Sequence, residues 1–91
     1  VNMTVLSLPV VQAEGVFQSG NGYYNQSKLE EAVVQYQGAI AINPNYAKTH
    51  YNLGVPYHQQ GKLEEAIVQY QQAIASNFNE GKRGNNDGVT Y

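Results

Sequence analysis

Residues 28–45 read KLEEAVVQYQGAIAINPN, and residues 62–79 read KLEEAIVQYQQAIASNFN. The two stretches are offset by 34 residues and are identical at 14 of 18 positions. A fixed period of this length is typical of repeat proteins, in which similar units stack side by side. We therefore expect the fold to be built from copies of one unit.

Inside each copy the apolar residues recur at steps of three and four, which is the spacing of one helix face. In the first copy this stripe consists of Leu29, Ala32, Val33, Tyr36, Ala39 and Ile40, and in the second of Leu63, Ala66, Ile67, Tyr70, Ala73 and Ile74. Neither copy shows the alternation by two that a strand requires. Each stretch is therefore predicted to be an amphipathic helix that needs other helices to cover its apolar side.

The composition limits the kinds of partner that the chain can have. Its 91 residues suit one small domain, and its 42% apolar content supports a thin core. The absence of cysteine excludes disulfides and thiolate metal sites. A formal charge of −2 provides no basic field for nucleic acid or anionic lipid, and no apolar run approaches the about 20 residues of a membrane helix. We predict no nucleic-acid partner and no membrane partner.

The two ends of the sequence do not fit the repeat. Residues 1–12 are predicted to be an N-terminal leader or the remnant of a preceding segment, with Pro9 as a breaker. Val11-Gln12-Ala13 also resembles the cleavage pattern of a secretory signal peptide, so export stays open beside a favoured cytoplasmic location. Residues 81–91 are rich in Gly and Asn and are predicted to be a C-terminal tail.

The remaining segments complete a pattern of four helices, which we expect near residues 14–26, 29–42, 46–60 and 63–76. Ser27 and Glu30 have the spacing of a capping box at the start of the second helix. Asn43 and Pro44 are expected to cap and begin the third, because Asn is a good N-cap and Pro fits the first helical turn.

The third helix contains a proline. Pro56 falls in its interior, where proline costs about 3 kcal/mol or more, and it predicts a kink around Asn52–Val55. Gly61 suits the left-handed position that closes the same helix.

A 34-residue helix–turn–helix period resembles the tetratricopeptide repeat family. The motif residues of the first copy are Gly20, Tyr23, Ala32, Tyr36, Ala39 and Pro44, and those of the second are Leu53, Gly54, Tyr57, Ala66, Tyr70 and Ala73. The glycines and alanines are small where paired helices would come closest, and the tyrosines would fill the space around them. The positions that depart from the family pattern are Val16, Ser19, His50, Pro56 and Phe78. The resemblance implies an all-α fold, a fragment of a right-handed α-α superhelix with two helical hairpins, in which residues 13–46 form the first repeat and residues 47–80 the second.

The same resemblance implies a protein-protein interaction module. In this family the first helix of each hairpin lines a concave groove for a partner peptide. Counted onto this sequence, the peptide-binding residues are Phe17, Asn21, Tyr24, Asn25, Lys48, Tyr51, Asn52, Val55 and Gln59, and Glu14, Gln18 and His58 share their stripe. The alternative is a structural self-assembly or oligomerisation module, or a fragment of a longer scaffold, because nothing in the sequence obviously covers the helix at 62–76.

One subclass of the family grips a C-terminal carboxylate with two asparagines and several basic residues. Asn21 and Asn52 stand at the two asparagine positions. Phe17 replaces the first expected lysine, and Lys82 fits a later one only if a third helix forms there. An anion site needs more than one cation, so the resemblance to this subclass is incomplete.

No catalytic residue, metal site or cofactor is predicted. His50 and His58 are the only histidines, and a spacing of eight residues separates them by about 12 Å along a helix, too far to share a metal. The acidic pairs Glu30-Glu31 and Glu64-Glu65 fall on the solvated side of their helices. No nucleophile or buried acid accompanies either histidine, so the sequence does not indicate an enzyme.

Overall fold

Four helices make up the computed structural model, which describes residues 8–84 and their side chains as far as residue 79. Helix α1 spans Pro9–Asn25, α2 Leu29–Ile42, α3 Ala47–Gln59 and α4 Leu63–Gly84. Helix α1 packs against α2, α3 against α4, and α2 against α3. No strand occurs between residues 8 and 84. The predicted all-α architecture of two successive helical hairpins is confirmed.

Helix α1 begins earlier than its predicted start near residue 14. Pro9 occupies its first turn, where a missing N–H has no helical partner to lose. Residues 9–12, which we expected in a leader, therefore belong to the helix, and Ala13 is buried within it. The predictions for residues 1–7 lie outside the described residues.

Helix α4 ends later than its predicted end near residue 76. The matching helix α2 stops at Ile42, and Pro44 follows in the turn. At the position equivalent to Pro44 the second copy has Phe78, whose N–H is available to continue the helix. Residues 81–84, which we predicted to begin the C-terminal tail, are therefore part of helix α4. The prediction for residues 85–91 lies outside the described residues.

The predicted caps are wrong at two helix starts. Helix α2 has no side-chain cap, and Ser27 instead adopts a left-handed φ of 64° in the turn before it. Helix α3 is preceded by Tyr46, so Asn43 and Pro44 lie in the α2–α3 connection. The prediction for Gly61 is confirmed, because its φ is +80° directly after α3.

The core is built where α1, α2 and α3 meet. Its buried members are Phe17, Ala32, Tyr36, Ala39 and Leu53. The rings of Phe17 and Tyr36 lie 5.9 Å apart at a tilt of 45°. Because Leu53 comes from the second hairpin, this cluster joins the two hairpins as well as the two helices of the first.

Two glycines set how closely the helices of each hairpin approach. A methyl group on Gly20 would lie 2.5 Å from Cε1 of Tyr36, and one on Gly54 would lie 2.6 Å from Cε1 of Tyr70. Carbon atoms in contact are separated by about 3.5–4.0 Å, so neither position has room for a side chain. A tyrosine ring of the second helix therefore lies directly against the backbone of the first in both hairpins.

Gly20→Ala is expected to destabilise the protein by about 1–3 kcal/mol, the usual effect of overpacking. Tyr36 is 1% exposed and its hydroxyl is hydrogen-bonded, so the ring cannot move away. Gly15→Ala is the matched control in the same helix, because a methyl group there meets nothing within 4 Å. The control should stabilise the protein by up to about 1 kcal/mol, the helix-propensity difference between the two residues. Urea denaturation measures both changes, and an equal effect of the two substitutions would contradict the close approach.

Pro56→Ala is expected to raise the free energy of unfolding, by less than the full ~3 kcal/mol of an interior proline. Helix α3 continues through Pro56, so the substitution restores the hydrogen bond to the Asn52 carbonyl. The proline ring is also fully buried, and its loss leaves a small cavity that offsets part of the gain. Urea denaturation measures the net change in the free energy of unfolding, provided that its dependence on urea concentration is the same in both proteins. A midpoint lower than that of the wild type would show that the lost packing of the proline ring outweighs the restored helical hydrogen bond.

Candidate functional site

A groove of about 470 Å³ lies between α1 and α3. Its lining residues are Gln18, Asn21, Tyr24, Asn25, Tyr36, Tyr51, Asn52 and Val55. Six of these were predicted from the sequence as peptide-binding residues, namely Asn21, Tyr24, Asn25, Tyr51, Asn52 and Val55. All eight side chains are uncharged at neutral pH. The lining is therefore polar and aromatic, and it favours neither positively nor negatively charged ligands.

Asn21 is the centre of a hydrogen-bond network that ties three helices together at the groove. Its Oδ1 accepts a hydrogen bond from the Tyr36 hydroxyl at 2.5 Å and another from Nδ2 of Asn52 at 3.0 Å. Burial raises the pKa of the Tyr36 hydroxyl, an effect that Asn52 partly offsets. The hydroxyl therefore stays protonated at neutral pH and remains a donor to Asn21.

Further bonds between amides and tyrosine hydroxyls join the helices around this network. Nε2 of Gln59 donates to the hydroxyl of Tyr24 at 2.7 Å, which links α3 to α1. Nε2 of Gln37 donates to the hydroxyl of Tyr57 at 2.9 Å, which links α2 to α3. Gln59 was predicted to face a ligand, and the structure places its amide on Tyr24 of the groove lining.

Asn52 retains part of its hydrogen-bond capacity for a ligand. Asn21 uses the lone pairs of Oδ1 on two donors, and its Nδ2 lies 3.4 Å from Oε1 of Gln18. An asparagine side chain has two N–H donors and one carbonyl acceptor. Asn52 donates one N–H to Asn21 and its amide also interacts with the Tyr36 hydroxyl, whereas its carbonyl accepts no hydrogen bond from another described residue. The Asn52 carbonyl can therefore accept a hydrogen bond from a ligand.

Besides Gln59, two of the nine predicted peptide-binding residues are absent from the groove lining. Phe17 is 2% exposed and its ring meets that of Tyr46 edge-on at 5.7 Å, so the prediction that it contacts a ligand is wrong. Lys48 is absent from the groove lining, and its Nζ lies 5.8 Å above the ring of Tyr46. The connection into α3 covers Phe17, which a count along one helix does not reveal.

The other residues predicted on the same helix stripe, Glu14, Gln18 and His58, lie on different surfaces of the structure. Gln18 lines the groove and donates a hydrogen bond to Glu14 at 2.9 Å. Glu14 itself lines a smaller cavity of about 370 Å³ with Val10 and Tyr46. Sequence reasoning missed Tyr36, which was assigned to interhelical packing alone. A signal for its role was present in the sequence. Tyr36 was expected to pack near Gly20, and the residue after Gly20 is Asn21, whose polar side chain can accept a hydrogen bond from the Tyr36 hydroxyl.

A larger cavity of about 750 Å³ lies on the other side of Tyr51, between α3 and α4. Its lining residues are Tyr46, Ala47, Lys48, Tyr51, His58, Tyr70, Ala73, Ile74 and Asn77. The rings of Tyr51 and Tyr70 lie 5.6 Å apart within it. Tyr51 thus borders both the groove and this cavity.

The two histidines have separate environments. His50 is buried, with Nε2 2.8 Å from the Pro44 carbonyl oxygen and Nδ1 2.8 Å from the side-chain amide of Gln69. Because a carbonyl only accepts, Nε2 carries a hydrogen and donates it. Both ring nitrogens therefore hold the fold together, while His58 is exposed at the larger cavity.

The described residues contain neither a candidate metal site nor a candidate membrane span. Between residues 8 and 84, no three or more His, Cys, Asp or Glu side chains are grouped closely enough to hold a metal ion. None of the helices in that range combines the length and apolar character needed to cross a membrane.

Comparison with known proteins identifies the family of the chain. The family profile described as TPR repeat matches residues 20–61, and the one described as Tetratricopeptide repeat matches residues 47–79. Together the two profiles span residues 20–79, about two thirds of the chain. A curated relative, the Hsp70-Hsp90 organising protein of Plasmodium falciparum (isolate 3D7), is 52% identical over 33 residues, which are 36% of this chain and 6% of the relative. The chain therefore spans only a small part of that relative's length. With its 34-residue period, its two hairpins and these matches, the chain belongs to the tetratricopeptide repeat family.

Proposed function

We propose that the protein is a non-catalytic interaction module that binds an extended peptide segment of another protein in the groove between α1 and α3. The observation that carries this proposal is the side-chain carbonyl of Asn52, which accepts no hydrogen bond from another described residue and lines an uncharged groove. The backbone of an extended peptide offers N–H groups that can donate to such a carbonyl along its whole length. The relative from Plasmodium falciparum supports a role in protein association, since its name describes an organiser of Hsp70 and Hsp90.

The lining of the groove favours an internal, uncharged peptide segment over a free C-terminus. A carboxylate is bound well where several cations or organised donors surround it. Lys48 faces the ring of Tyr46 outside the groove, and position 82 lies in the last turns of α4, so no separate third helix supplies it to α1 and α3. The carboxylate-binding arrangement is therefore not part of the proposal.

Tyr51 and Val55 supply the apolar part of the proposed contact. Tyr51 is 55% exposed, and Val55 stands one turn further along the same helix. Aromatic side chains tend to dominate the energy of such contacts, whereas amides fix the position of the peptide. The groove is short, so we expect affinities in the micromolar range, typical of small and transient interfaces.

Tyr51→Ala is expected to weaken peptide binding about tenfold, because it removes the largest exposed ring of the groove. Asn52→Ala is expected to weaken peptides of different sequence by a similar factor, because it pairs with backbone groups common to all of them. Fluorescence anisotropy with a panel of internal peptides measures both effects. The same peptides with a free or an amidated C-terminus should bind equally.

The matched control is Gln72→Ala, on the exposed side of α4 and far from the groove lining. Gln69 is unsuitable as a control because its amide contacts the buried His50. Binding that survives both groove substitutions, or that requires a free carboxylate, would show that the groove between α1 and α3 is not the site.

A further inference from the structure

The cavity of about 750 Å³ between α3 and α4 corresponds to a space that is filled in the first hairpin. By the 34-residue period, five of its lining residues have the counterparts Phe17, Tyr24, Tyr36, Ala39 and Ile40. Those counterparts belong to the core cluster of the first hairpin or pack directly against it, and Leu53 of α3 is a member of the same cluster. The cavity is therefore the same surface without the helix that covers it. We call the five matching residues of the second hairpin the end face: Tyr51, His58, Tyr70, Ala73 and Ile74.

The exposure of matching side chains follows the presence of the covering helix. Phe17 is 2% exposed beneath the connection into α3, whereas Tyr51 is 55% exposed. Ile40 is half-buried, whereas Ile74 is 69% exposed. Residues of the same kind are thus buried where α3 packs on them and exposed at the end face. Since burial of apolar side chains is favourable, the end face is suited to a cover like α3.

The apolar part of that cover consists of three side chains. The ring of Tyr46 meets that of Phe17 edge-on at 5.7 Å, Leu53 enters the core cluster, and Tyr57 packs against the cluster. These three residues follow one another at steps of seven and four, so they lie on one side of a helix. A helix that covers the end face in the same way therefore needs large apolar side chains at this spacing.

The hydroxyl of Tyr70 adds a polar requirement. In the first hairpin the Tyr36 hydroxyl donates to Asn21, and the amide of Asn52 interacts with the same hydroxyl. The counterpart of Asn21 in the second hairpin is Val55, which has no side-chain acceptor. The Tyr70 hydroxyl makes no hydrogen bond to another residue in the described part of the chain. An amide at the position of Asn52 in a covering helix can supply the missing acceptor.

The chain does not provide this cover in the register of its first repeat. After α2 ends at Ile42, residues 43–50 reverse the chain and begin α3, whereas their counterparts, residues 77–84, continue α4. At about 1.5 Å per residue, the continuation carries the chain about 12 Å past the point at which the first copy turns back. Residues 1–7 and 85–91 number seven each, fewer than the 13 residues of α3. A cover seated like α3 therefore comes from outside residues 1–91.

We propose that the end face binds an amphipathic helix of a partner protein, seated on the second hairpin as α3 is seated on the first. The partner helix carries large apolar side chains at the spacing of Tyr46, Leu53 and Tyr57, with an amide side chain directly before the middle one. Its amide accepts a hydrogen bond from Tyr70. Tyr70 and Ile74 lie outside the lining of the peptide groove, so this interaction can be tested separately from peptide binding there.

A labelled peptide with the sequence of residues 43–60 is the probe, because it contains the α3 pattern. It carries Gly54→Ala to raise its helix propensity, since short helices are marginal in water. Residue 54 faces α4 in the structure, so this change lies away from the surface that covers the first hairpin. Fluorescence anisotropy should show saturable binding to the 91-residue chain. Leu53→Ser in the peptide should weaken that binding about tenfold. Absence of binding, or equal binding of the two peptides, would overturn the proposal.

Ile74→Ser in the protein should also weaken peptide binding about tenfold, because it removes an exposed apolar side chain of the end face. Val68→Ser is the matched control. Val68 is 48% exposed on the same helix, is absent from the cavity lining, and lies about 120° away from Ile74 by the helical period. Circular dichroism verifies that both variants fold. Equal effects of the two substitutions would contradict binding at the end face.

A double-mutant cycle tests the register of the bound helix. Tyr70→Phe in the protein keeps the ring against Gly54 and removes only the hydroxyl. Tyr70→Phe and Asn52→Ala in the peptide should each weaken binding about fivefold, and the two together should cost no more than either alone. Losses that multiply would show that the peptide is not seated in the register of α3 and would overturn the proposal.

Sedimentation equilibrium of the protein alone distinguishes a partner helix from a second copy. The start of α1 exposes Leu8, Val10 and Val11, which could bring a second copy to the end face. We expect a monomer at the concentrations used for peptide binding. A dimer that Ile74→Ser abolishes would show that a second copy occupies the end face, and would overturn the proposal.

Discussion

The close approach of a tyrosine ring to a glycine backbone is the constraint on which the rest of the structure depends. Any side chain at Gly20 would overlap Tyr36, and any side chain at Gly54 would overlap Tyr70. This approach fixes the distance between the two helices of each hairpin. In the first hairpin it also brings the Tyr36 hydroxyl to Asn21, the residue after Gly20, and so builds the floor of the groove. The same contact between Tyr36 and Gly20 therefore sets the packing of the first hairpin and positions the hydroxyl that helps to form the candidate site.

The helix content and the hairpin order could be predicted because the apolar spacing is regular and repeated. Helix α2 has the predicted bounds. The start of α1 and the end of α4 differ from the prediction, because the residues that decide them are compatible with more than one backbone conformation. Pro9 was interpreted as a breaker, although proline is equally compatible with the first turn of a helix. Phe78 replaces the proline that ends the first copy, and the longer α4 follows from that single difference. Both errors arise because a residue type permits two backbone outcomes and the surrounding structure decides between them.

The groove could be predicted as a face, whereas its individual members could not all be assigned. The helical period places Phe17 and Tyr51 at equivalent positions, yet one is buried and the other is exposed. The difference comes from α3, which packs over the first hairpin and has no described counterpart over the second. Burial of this kind depends on neighbours that are distant in sequence, so spacing within a helix cannot report it. The hydrogen bond from Asn52 to Asn21, which spans 31 residues, was beyond local reasoning for the same reason.

The hydrogen bonds that uncharged amide and hydroxyl side chains make between helices have a consequence for how the fold responds to dissolved salt. The pairs Asn52–Asn21, Gln59–Tyr24 and Gln37–Tyr57 join separate helices without any charged group. Dissolved ions screen interactions between charges, with a Debye length of about 8 Å at physiological ionic strength, and have little effect on neutral hydrogen bonds. We therefore expect these three hydrogen bonds to change little with ionic strength. In a chain with only 12 residues of the Lys, Arg, Asp and Glu types, contacts between helices thus depend more on neutral amides and hydroxyls than on charges that salt would screen.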